Sequence, residues 1–155
     1  MRTMGRSVLA TVVLGIAAFG VWAQDAADIQ LDRARIQTER QAVITAALPL
    51  TEEESLAFWP AYRDYRLDMA RLGDRTVKLI EEFSRSYQAL ETTQADRLIR
   101  ESLNIQKEKI QIREKHLRAM AKILPSNKLA RFLQLENKLD AVVEYELAQV
   151  IPLAR

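Results

Sequence analysis

The chain has 155 residues, 48% of them hydrophobic and 28% charged, with four glycines, four prolines and no cysteine. That balance excludes a low-complexity or disordered chain, and the lack of thiols excludes disulfides and thiolate metal sites. Lysine and arginine number 23 against 21 acids, too even a mixture for the clustered positive field that nucleic-acid binding requires.

Residues 1–23 read as an export leader. Arg2 and Arg6 supply a basic start, Val8 to Val21 an apolar run, and Val21-Trp22-Ala23 the small residues that precede a cleavage point, here expected after Ala23. An uncleaved anchor is the alternative, although the run is shorter than the ~20 apolar residues that cross a bilayer comfortably. No cysteine follows it, which argues against a lipoprotein. Without the leader, 21 basic residues face 21 acids, so the excess positive charge belongs to the leader. A single helical domain over residues 24–155, delivered to the periplasm, is the expectation.

Ile29, Arg33, Ile36, Arg40, Val43, Ile44 and Ala47 recur at helical spacing up to Leu48-Pro49, where the proline pushes the residue before it out of the α region. A second helix opens at Leu50-Thr51-Glu52-Glu53-Glu54, with Thr51 as cap, Glu54 as its capping-box partner and three acids at the positive helix end. Its inward positions are Phe58, Trp59, Tyr62, Tyr65, Met69, Leu72, Ile80, Phe83 and Tyr87. The aromatic cluster from Phe58 to Tyr65 reads as core, with a ligand or client groove as the other reading. Pro60 predicts a kink, or a break and restart, at Trp59-Pro60, and Gly73 a bend.

A turn at residues 90–93 precedes a third helix, capped by Thr92 or Thr93 and running to Leu124 as the longest element, about 45–50 Å. Pro125 ends it, Ser126 caps a fourth helix with Leu129, Phe132, Leu133, Leu139, Val143 and Val150 inward, and Pro152 closes that one. A compact domain of this length has a radius of gyration near 14 Å, so such a helix predicts an elongated all-α hairpin, and its surplus apolar surface predicts a homodimer.

The third helix carries two apolar stripes. Leu103, Ile110, Leu117 and Leu124 recur every seven residues, as do Leu98, Ile105, Ile112 and Ala119. Ser102, Gln106, Lys109, Arg113 and His116 lie between them. Either the helix has one wide buried face with long polar side chains at its margin, or one stripe packs on the helix's own chain and the other on a partner. In the second arrangement Gln106, Lys109, Arg113 and His116 form a partner-facing strip.

No phosphate-binding glycine loop, nucleophile elbow, paired-histidine motif or Cys/His cluster is present in the sequence, so an enzyme is not expected and no cofactor is implied. Glu81/Arg85 and Glu114/Arg118 are i,i+4 pairs suited to a solvated face. His116, the only histidine, has Met120 one turn on, which makes the two weak candidates for a soft metal. Lys109 and Arg113 on the same face, with Lys115 adjoining, oppose a bound cation, so no metal site is expected.

Leu50-Thr51-Glu52-Glu53-Glu54 and Leu90-Glu91-Thr92-Thr93-Gln94 resemble two degenerate copies of the Leu-Thr-x-x-Gln motif of the Spy/CpxP-like periplasmic proteins. Glu54 stands where Gln is expected in the first copy, and Glu91 where Thr is expected in the second. The motif positions are thus Leu50, Thr51 and Glu54, then Leu90 and Gln94. The resemblance implies a helical, cradle-shaped homodimer that binds unfolded or partly folded envelope proteins without ATP. Its alternative is a sensory or metal-responsive adaptor acting on a membrane sensor protein. Metal-binding relatives rely on sites rich in histidine or methionine, which a chain with one histidine lacks.

Overall fold

The computed structural model describes residues 38–154, in which every regular element is a helix. The leader, the expected cleavage point and the helical positions Ile29, Arg33 and Ile36 lie outside the described residues. The chain divides into two compact units, residues 1–43 and 44–155. Residues 38–43, the described part of the first unit, are helical; all that follows concerns the second.

The described helices are α1 (38–47), α2 (Glu52–Ser84), α3 (Thr92–Met120) and α4 (Ser126–Val150). Leu48 N–H donates to the Ile44 carbonyl at 2.9 Å and closes the last turn of α1 before Pro49. α2 starts as its sequence dictates. Thr51 Oγ1 accepts from Glu54 N–H at 3.2 Å, and Glu54 Oε2 accepts from Thr51 N–H at 2.8 Å, so two otherwise orphaned donors are satisfied. Lys128 at the start of α4 donates to the same Glu54 oxygen at 2.6 Å and, as the leading cause, holds the Glu54 carboxyl below its ordinary pKa.

Three expectations about the helix ends need correction. α2 runs unbroken through Pro60, with no restart at Trp59-Pro60. The carbonyl that loses its partner is that of Leu56, four residues back; Leu56 is 75% exposed, so water can replace the missing N–H. α2 is therefore the longest helix, at 33 residues against 29 for α3. α3 stops at Met120 rather than Leu124: Leu124, the residue before Pro125, cannot stay α-helical, and residues 121–124 close in turns accepted by Ala119 and Met120 carbonyls. Finally, Thr92, Thr93 and Ser126 all lie inside their helices. The N-caps are Glu91 and Pro125, neither of which makes a side-chain capping bond.

α2 and α3 form an antiparallel hairpin held by a ladder of ion pairs. From the base outwards, Asp68 meets His116 and Lys115, Arg75 meets Glu101 at 2.9 Å and also Glu108, and Glu82 meets Arg97. Between these charged flanks Leu72, Leu98 and Ile105 are buried. α4 lies against the base of the hairpin, where Ile44, Leu48, Phe58, Tyr62, Tyr65, Met120, Leu124 and Phe132 form the core. Phe58 is fully buried, stacked on Tyr62 at 5.6 Å and edge-on to Phe132 at 5.5 Å. The Phe58–Tyr65 cluster is thus core. Leu129, Leu133, Leu139 and Val143 of α4 are half-buried around it; the Val150 side chain lies outside the described ones. The pairs Glu81–Arg85 and Glu114–Arg118 form at 3.8 Å on open surface.

Candidate functional site

α3 is the element on which the expected site residues sit, and its three neighbouring surfaces differ sharply. One side packs on α2 through Leu98, Ile105 and His116, each 8% exposed. The next edge is claimed by α4. Arg113 donates to Asp140 at 2.5 Å, and Lys109 reaches Asp140 at 3.0 Å and Glu144 at 2.8 Å. The third surface, turned outward, carries Ile99 and Leu103 at 58% exposure and Ile110 at 59%.

The four residues of the expected strip are therefore divided. Gln106 is exposed. Lys109 and Arg113 are committed to acids of α4, and His116 is committed to α2, its Nε2 lying 2.8 Å from Asp68 Oδ2 beside the Tyr65 ring. Lys115 Nζ reaches the same carboxylate oxygen at 2.9 Å. His116 and Met120, the weak metal candidates, are both buried, and no cluster of three or more metal-ligating His, Cys, Asp or Glu side chains occurs among the described residues.

The junction of the three helices is polar and tightly filled. Glu136 of α4 is 1% exposed, accepting from the Tyr62 hydroxyl at 3.2 Å and from Arg66 at 3.3 Å. Burial, then the Glu136 charge, pushes the Tyr65 hydroxyl up to about 12, so it remains a neutral donor at ordinary pH. A cavity of about 10 Å³ lies among Tyr65, Arg113, His116, Phe132 and Glu136. It admits a single water and no organic substrate. Titratable groups crowd together here in the service of packing, without the open cleft that acid/base chemistry on a substrate needs.

Three comparisons, with protein families, curated proteins and solved structures, find no match to the chain. The Spy/CpxP-like resemblance accordingly rests on its two pentapeptides. The first is explained locally, since Thr51 and Glu54 are the two halves of the capping box and half-buried Leu50 packs on the core. In the second, Leu90 and Gln94 are half-buried and Glu91 is the N-cap.

Asp68 is the residue here that sequence reasoning missed. The hydrogen bond from His116, followed by that from Lys115, holds its carboxyl at about 2, well below the ordinary 3.8. A depressed folded pKa gives a stabilisation that is complete above the unfolded value and lost as pH falls through the folded one. Stability measured by urea unfolding should therefore decline between about pH 4 and pH 2, and Asp68→Asn should flatten that part of the profile. An Asp68→Asn profile with the parent's slope would assign the decline to other carboxylates.

Proposed function

We propose that this protein is a non-enzymatic, protein-binding component of the periplasm, chaperone-like in that it holds partly folded envelope proteins without a nucleotide. The observation that carries this reading is the outward face of α3, where three large aliphatic side chains, Ile99, Leu103 and Ile110, are each more than half exposed on a helix whose other sides are occupied. Aliphatic side chains grouped on one face and bordered by charge mark surfaces that gain by covering a partner's apolar segments. The Leu-Thr-x-x-Gln-like pentapeptides and the leader favour the same role and place. Among the described residues no helix is long and apolar enough to cross a membrane.

Light scattering of a heat-unfolded client tests the proposal. The chain should suppress aggregation at sub-stoichiometric to equimolar ratio, and the double variant Leu103→Asp/Ile110→Asp should lose most of that suppression while melting like the parent, since neither side chain is in the core. Absence of suppression by the parent chain removes the chaperone reading. Full suppression by the double variant removes α3 from it.

A further inference from the structure

We infer that the outward face of α3 is a docking seam for an amphipathic helix with acidic flanks, supplied by another protein; this rests on the protein-binding reading and names the partner's chemistry. At 100° per residue Ile99, Leu103, Gln106 and Ile110 fall within an arc of about 60°. Their spacings of four, three and four are those of the a and d positions of a heptad, the pattern into which a second helix sets its knobs. An extended strand presents side chains at alternate residues and meets no such periodicity. The seam accordingly favours a helix.

The charges beside it favour acid. Arg100 and Lys107 stand on one edge of the arc, both exposed and without an ion pair among the described residues. The other cations of α3 are engaged: Arg97 by Glu82, Lys109 and Arg113 by Asp140, Lys115 by Asp68, and Arg118, at 3.8 Å, by Glu114. On the opposite edge Asp140 and Glu144 of α4 neutralise what would have been a second row of positive charge. A partner helix therefore gains by placing carboxylates against Arg100 and Lys107 only, which sets its orientation as well as its sign. Gln106, polar within the seam, disfavours partners that offer only leucine opposite it. An anionic membrane is the poorer fit. The face has no Trp, Tyr or Phe, and Asp96 and Glu114 share the cationic edge, where they repel a negative surface.

The test is fluorescence anisotropy with labelled synthetic helical peptides of about three heptads, aliphatic at a and d, flanked in one by glutamate and in the other by lysine. The chain is used as purified from its host. The glutamate peptide should bind roughly tenfold or more tightly than the lysine peptide. The order should invert in Arg100→Glu/Lys107→Glu, and Leu103→Asp should abolish both. Equal affinity for the two peptides, or an unchanged preference in the charge-reversed variant, overturns the inference. So does binding confined to phosphatidylglycerol vesicles, which would give the face to a membrane. Self-association abolished by Leu103→Asp, in a chain that ignores both peptides, would give it to a second copy. Failure of the peptide preference with client suppression intact leaves the protein-binding reading standing; loss of both removes it.

Discussion

Replacing Glu136 by alanine is expected to lower the stability of the helical unit by about 3–5 kcal/mol, the usual result of removing one partner from a buried ion pair. The carboxylate is 1% exposed and receives both the Tyr62 hydroxyl and the Arg66 guanidinium. Deleting it leaves a guanidinium only 16% exposed without that counter-charge, and a buried hydroxyl without that acceptor. Since a domain of this size has roughly 5–15 kcal/mol in total, the melting midpoint should fall by more than about 10 °C. Glu136→Gln retains a carbonyl for Tyr62 and should cost less, about 1–3 kcal/mol. Replacing Arg66 and Glu136 together by methionine should recover most of the loss, because attraction between buried charges largely offsets their desolvation. Calorimetry on the four proteins checks the series. A loss below about 1 kcal/mol in Glu136→Ala would show that the carboxylate is dispensable to the packing of α4.

Phe58→Ala should be of similar size for a different reason. Phe58 is fully buried and in ring contact with Trp59, Tyr62 and Phe132, so its removal opens a cavity between rings that cannot close on one another, costing about 3–5 kcal/mol. Phe58→Leu keeps most of the volume and should lose about half as much. The change should appear as faster unfolding and a lower denaturant midpoint at unchanged slope. A lower slope in Phe58→Ala would mean that part of the core had already loosened in the native state.

Much of this architecture is legible in the sequence where the deciding interaction is local. The capping box at Thr51 and Glu54 spans three residues, and the i,i+4 pairs and the inward periodicity of α2 are equally short-range. Pro60 shows where a local rule yields. The penalty of an interior proline depends on whether the freed carbonyl finds water, and the exposure of Leu56 is a property of the folded molecule. The site is less legible still. Lys109 and Arg113 look like free cations at the margin of a stripe until α4 returns 27 to 35 residues later with Asp140 and Glu144. His116 likewise finds Asp68 across 48 residues. Those acids carry no pattern that marks their partners. The split of α3 into a packed stripe and an outward one is legible as two stripes, but which of them faces out depends on where α2 and α4 lie.

The charged ladder between α2 and α3 works as a vernier. Its rungs at Asp68, Arg75 and Glu82 recur every seven residues along α2 and meet His116, Glu108 and Arg97 in descending order on α3. Sliding one helix past the other by a single turn, about 5.4 Å, would break every rung at once, and no neighbouring alignment restores them. The hairpin therefore has one permitted register, and a force along its length is shared by all the rungs together. An outward face borne on such a beam keeps its Ile99-to-Ile110 spacing under load, so whatever grips it pulls on the whole hairpin.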